Sequence, residues 1–166
     1  MEPMRRSDRE IKEREEILRI MERCDVCRLA LHDEEYPYIL PLNFGMETEG
    51  DQITLYFHGA ETGKKYELIA RDNRAGFEMD CAHRLVMEHG KDGCSCTMEY
   101  ESVVGCGRLE LVEEKEKYHA LCLLMRHYYQ EEVPFQEAAM SRTTVIKLTV
   151  ERITGKRRKK SQNPTG

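Results

Sequence analysis

No stretch of about 18 consecutive apolar residues occurs anywhere in the chain, which argues against a membrane-spanning helix. The first residues, MEPMRRSDRE, are charged and lack an apolar signal core. The expectation is therefore a cytoplasmic protein with no membrane partner. A global excess of positive charge is also missing: the net charge is −5, and only the last dozen residues are strongly basic. An acidic body, with no aromatic residue in the basic stretch to stack on bases, argues against nucleic acid as a partner. No internal repeat is visible, and no GxGxxG dinucleotide fingerprint is present.

A second CxxC is lacking as well. Cys24 and Cys27 have that spacing, but Cys94 and Cys96 form only CSC. A four-cysteine zinc site favours two CxxC pairs, and Cys27 falls inside VCRLAL, where alternation predicts a strand. Seven cysteines in a chain expected to stay in a reducing compartment read as structural thiols, with zinc the weaker alternative, so no metal site is expected. His83 and His89 have no ligand-like spacing.

What remains is a chain of 166 residues, 40% hydrophobic and 34% charged, long enough for one sizeable core. SDRE has the form of a capping box, and the spacing of Ile11, Ile17, Leu18 and Met21 predicts a helix over 8–23. VCRLALH (26–32), YPYILPLNF (36–44) and ITLYFH (53–58) read as strands, the first two as a hairpin and the third continuing a meander. Pro37 and Pro41 make the second run irregular or an edge. YELIA predicts a short helix, AGFEMD (75–80) a fourth strand, and residues 81–95 a loop. TMEYESVVGCGRLELV (97–112) is one long strand signal whose two glycines suggest a bulge or bend. A helix over 113–130, with a stripe of Leu121, Leu124, Met125 and Tyr128, and a strand TTVIKLTVERI (143–153) complete the pattern. The organisation expected is one domain over 1–156 with a basic, solvated tail over 157–166. The class is mainly β with short helices, a small closed antiparallel barrel.

The chemistry centres on LYFHGAETGKKYEL. Two lysines open a helix, the end that already carries partial positive charge. The stretch is a near miss to the P-loop: Gly59 and Gly63 are one residue too close, and Lys65 stands where a hydroxyl would hold magnesium. Two readings stand on the residues alone. Gly63, Lys64 and Lys65 either bind one phosphate monoester at a helix start, or are a solvated turn. His58 ends the preceding strand, within about ten ångströms of that helix start for an extended strand and tight turn.

Taken in order, RRSDREI, PYILPLNFG, LYFHGAETGKK, YESVVGCGRLELV and ERITGK span nearly the whole chain. Together they resemble the pyridoxamine-phosphate-oxidase-like flavin-binding proteins, and within them the nitroimidazole-resistance branch. The resemblance implies a six-stranded split β-barrel of the FMN-binding type, forming a homodimer with FMN at the subunit interface. It implies that the backbone around Leu40, Pro41, Leu42 and Asn43 meets the flavin ring and that Phe57 and His58 line ring and ribityl chain. Gly63, Lys64 and Lys65 would hold the phosphate, and Tyr100, Ser102 and Val103 would reach across from the second subunit. His58 is the catalytic candidate. The function implied is an FMN-dependent oxidoreductase passing electrons from a reduced nicotinamide or similar small-molecule donor to a small, nitroaromatic-like acceptor. The alternative is a non-catalytic flavin, haem or deazaflavin carrier or redox sensor. Oxidases acting on pyridoxamine phosphate carry an arginine and a lysine where this chain has Tyr38 and Asn43, so that activity is not implied.

Overall fold

The computed structural model describes residues 4–87, 93, 96–129 and 134–159. Eight strands and four α-helices occur among them, and every strand pairing whose register is resolved is antiparallel. The mainly β class matches expectation, while the strand count rises from six to eight. The two additions are β1 (Glu10–Ile11) and β4 (Gly45–Glu49). The strand order is β3-β2-β6-β7-β8-β5-β4, with β1 on β8. The chain divides into two compact units. The first holds residues up to Cys24, Met79 to Val103 and Thr154 onward; the second holds Asp25 to Glu78 and Val104 to Ile153.

In the first unit the helix expected from residue 8 begins later. Ser7–Arg9 form a 3-10 turn, β1 follows, and α1 spans Arg14–Arg23 without a side-chain cap. The capping box is not used because Ile11 is buried in strand pairing, opposite Gly155 of β8 (Thr144–Arg158). Ile17, Ile20 and Met21 bury the inner face of α1, which is the amphipathic pattern the spacing predicts. Part of this unit's interior is ionic. The carboxylate of Glu101, 4% exposed, takes Arg23 and Arg157, and Arg157 also reaches Glu16 at 2.6 Å. The strand β8 runs to Arg158, so Arg157 and Arg158, expected in the solvated tail, are strand residues; residues 160–166 lie outside the described residues.

In the second unit β2 (Cys27–Leu31) and β3 (Tyr38–Leu42) form the expected hairpin. The meander does not continue, because β5 (Gln52–Gly59) pairs with β4 and β8. The sequence reading took Glu47–Asp51 as a link; its weak, half-exposed alternation hid a strand that turns at Gly50. Helix α2 covers Lys64–Arg71, α3 Glu114–Tyr128 and α4 Glu137–Ser141. On α3 the buried side is Lys117, Ala120, Leu121, Leu123 and Leu124, so the stripe drawn through Met125 and Tyr128 is displaced. The hydroxyl of Tyr128 instead donates to the Asp25 carbonyl at 2.8 Å and accepts the Phe44 amide at 3.0 Å.

Three long strands run through both units: β6 (Arg74–Val86), β7 (Thr97–Leu111) and β8. Residues 81–86, read as loop, belong to β6, while 88–92, 94 and 95 lie outside the described residues. No bulge interrupts β7. Glu99, Glu101, Val103, Gly107 and Leu109 are all buried, so the inward parity survives both glycines, whereas an inserted residue would reverse it. The glycines answer to crowding instead. A Cβ on Gly107 would collide with the Thr149 carbonyl, and one on Gly105 with the Phe77 ring.

Candidate functional site

Strand β5 delivers the site. Ile53, Leu55 and Phe57 face inward, and the Phe57 ring is fully buried, so alternation sends His58 outward at the strand end. There His58 stands opposite Val145, and Gly59 opposite Thr144. A short loop leads to Gly63, whose φ of +151° and ψ of 158° lie in a region essentially restricted to glycine. That turn starts α2 at Lys64, and no side chain caps the helix. The loop is held from the helix side: the Tyr66 hydroxyl donates to the Ala60 carbonyl at 2.6 Å. The result is an uncapped helix start beside an outward histidine.

The two lysines have different surroundings. Lys64 Nζ sits 2.5 Å from Asp33 Oδ2 and 5.4 Å from the centroid of the Tyr38 ring. Asp33 also accepts the Glu34 amide at 2.9 Å and has Arg71 at 3.5 Å. The Lys64 hydrogen bond, then the Glu34 amide, hold its carboxyl below the usual carboxylate range, and Asp33 in turn raises Lys64. The negative group that the misplaced charge called for is, on Lys64, a carboxylate of the chain itself. Lys65 has no carboxylate partner among the described residues. Its ammonium lies 4.9 Å from the Tyr66 ring centroid, in space left by Gly59, where a Cβ would collide with it. His58 is exposed at its rim, yet burial of its inner side, then the Lys65 charge, push its pKa below the ordinary imidazole value. An unmatched cation, open amides and a neutral imidazole thus share one patch.

The other expected residues are placed as follows. Leu40 and Leu42 are half-buried on β3, and Pro41 and Asn43 are exposed. Strand β3 ends the strand order and pairs only with β2 among the described residues, so its second edge offers backbone groups, as Pro41 on an edge suggests. The amide of Asn43 makes a long contact, 3.4 Å, to the Asp25 carbonyl. Phe57 can contribute only backbone. Tyr100, Ser102 and Val103 lie on β7 in the first unit, Tyr100 and Ser102 half-buried and Val103 fully buried. Sequence reasoning missed Asp33, Gly59 and Tyr66. Tyr66 and Gly59 flank the lysines and were within reach of a closer reading, whereas nothing local links residue 33 to residue 64.

The cysteines of the CxxC pair are both buried, and burial pushes the Cys27 thiol up, away from the thiolate a metal needs. His83 is engaged by Asp80 at 2.7 Å; His89 and Cys94 lie outside the described residues.

The family model for pyridoxamine 5'-phosphate oxidase matches residues 13–157. The chain belongs to this family. Among solved structures, this family member is similar to a Bacteroides thetaiotaomicron protein provisionally assigned to 5-nitroimidazole antibiotic resistance. The identity is 34%, over 89% of this chain and 85% of that one, with a TM-score of 0.77. It thus falls in the nitroimidazole-resistance branch. The fold is shared with a flavocytochrome of Azotobacter vinelandii at 18% identity, covering 95% of this chain and 73% of that one, TM-score 0.75. It is shared too with a FAD-binding protein of Mesorhizobium loti at 23% identity, covering 91% and 98%, TM-score 0.62. A search of curated proteins finds no match. Among the described residues no helix of this family member is long and apolar enough to cross a membrane.

Proposed function

We propose that this chain binds FMN and reduces a small acceptor with electrons from a reduced nicotinamide or similar donor. A nitroaromatic is the acceptor class suggested by the resistance designation of the Bacteroides thetaiotaomicron relative. The observation that carries the reading is the unmatched Lys65 ammonium over Gly59, at a helix start opened by Gly63 and left uncapped. These groups fit a phosphate monoester: an uncapped helix start and a cation without a carboxylate partner adjoin in sequence and space. FMN, when bound, supplies the redox chemistry.

The residues divide the remaining work. Lys65 and the first amides of α2 hold the phosphate, and Lys64 adds a second cation to the extent that Asp33 releases it. The open edge of β3, around Leu40 to Asn43, gives backbone groups to the ring. Tyr100, Ser102 and Val103 complete the site from the second protomer of a homodimer. His58, its pKa held below the ordinary imidazole value, supplies in its protonated form the proton that accompanies reduction of the acceptor.

The visible absorption spectrum of the purified protein tests this. Twin flavin bands, with free FMN released on denaturation, are expected. A Soret band, or a colourless protein that ignores added FMN, overturns the reading. Oxidation of reduced nicotinamide by the loaded protein with a nitroaromatic acceptor separates an enzyme from a carrier, which shows the bands without turnover.

A further inference from the structure

The proposed flavin site leaves two basic stretches of the sequence unused, RRSDREIK near the start and KRRK near the end. In the first unit they meet. Strand β1 lies antiparallel to the end of β8, with Glu10 opposite Lys156 and Ile11 opposite Gly155. Arg6, Arg9, Lys12, Arg157, Arg158 and Lys159 thereby line one cavity of about 620 Å³. Only three carboxylates, Asp8, Glu10 and Glu16, share its wall. Six cations against three carboxylates is a marked local excess in a chain of net charge −5.

Part of that charge is matched internally. Arg6 is fastened to Asp8 by bonds of 2.7 and 2.6 Å, and Arg157 to Glu16 and Glu101 at 2.6 and 2.5 Å. Arg9 and Lys159 stand 3.9 Å from Asp8 and Glu101, at the limit of pairing. Lys12 and Arg158 have no carboxylate partner among the described residues, and Arg158 donates to the Thr97 hydroxyl at 2.7 Å. A two-residue strand is a weak tie for two segments that repel each other. A polyvalent anion would relieve the repulsion and bridge them.

We propose that this cavity binds a diphosphate group, either inorganic pyrophosphate or the diphosphate of a nucleotide. Guanidinium forks match phosphate oxygens, and the unmatched cations come from both chain segments, which suits a two-centred anion better than a single phosphate. The wall carries no aromatic side chain, and Ile11 is its one apolar residue, so it recognises the anion and not a base. The site belongs wholly to the first unit, whereas Lys65 belongs to the second.

The test is calorimetric titration of the full chain with pyrophosphate, ADP, orthophosphate and adenosine at low ionic strength. Pyrophosphate and ADP are expected to bind, orthophosphate more weakly and adenosine not at all, with affinity falling as salt is added. Binding of ADP as tight as that of pyrophosphate admits the nucleotide source, and a clear preference for pyrophosphate assigns the inorganic anion. The pair Lys12→Gln/Arg158→Gln should weaken pyrophosphate by about tenfold or more, the scale of charge-assisted bonds. Lys12 is exposed, so Lys12→Gln alone, expected to lose several-fold, keeps the test valid should the double variant not fold. Lys65→Ala should retain pyrophosphate binding in this cavity. Absence of pyrophosphate binding, full affinity in the Lys12 and Arg158 variants, loss in Lys65→Ala, or binding of adenosine alone overturns the proposal.

Discussion

Asp33 changes what the two lysines mean. From the sequence they are equivalent; in the structure Lys64 is matched at 2.5 Å and Lys65 is not. The Asp33–Lys64 pair is solvent-open, so it adds little to stability, and its consequence lies in binding. Lys65→Ala is expected to weaken FMN by about tenfold or more, and Lys64→Ala by less, given the strength of charged hydrogen bonds. Asp33→Asn, which frees Lys64, should tighten FMN; fluorescence titration of the three variants checks the order. His58 has a pH signature. Its folded pKa lies below the unfolded one, so as pH falls through the ordinary imidazole value the unfolded chain takes up the proton first and the folded state loses stability. A turnover step needing protonated His58 should therefore have its midpoint below the ordinary value. Lys65→Ala should move that midpoint up, and His58→Ala should abolish it, as read from pH–rate profiles of loaded protein.

Elements were legible where side-chain parity was strong. The spacing identifies β2, β5, α2 and β7 because a buried face repeats along each, and β3 because half-buried and exposed residues alternate along it. It misplaces the start of α1, because Ser7 and Glu10 satisfy a capping pattern while Ile11 gains more by burial opposite Gly155. Strand β4 was hidden because GMETE exposes half its length, and the ends of β6 and β8 because their polar residues pair internally in place of forming apolar stripes. The turn at Gly63 carries the site and follows from one backbone angle. Gly63→Ala meets no atom within 4 Å, so its cost is conformational and should be about 1–3 kcal/mol, seen in urea unfolding. An unchanged midpoint would show that the turn has other solutions.

At the scale of the whole molecule, family and fold follow from the order of motifs along the chain, while the surroundings of the lysine turn follow only from folding. The lysine turn could be read locally; the Asp33 partner, the meeting of Arg6 with Arg157 and the shared use of Glu101 are long-range consequences of pairing. Breaking the last should be costly. Glu101→Ala removes the carboxylate that Arg23 and Arg157 share, leaving Arg157 with Glu16, and is expected to destabilise by about 1–3 kcal/mol, measured by chemical unfolding. If Tyr100, Ser102 and Val103 act across a homodimer, sedimentation of the loaded protein gives a dimer; a monomer holding FMN at full affinity removes them from the site.

The central claim is that a phosphate monoester is held at the start of α2 by Lys65. Parallel titration of wild type and Lys65→Ala with FMN and with riboflavin, which lacks the phosphate, measures that grip directly. The account predicts that wild type favours FMN by about tenfold or more and that the variant loses most of this preference. Equal binding of the two flavins by wild type, or a preference that survives in the variant, contradicts it.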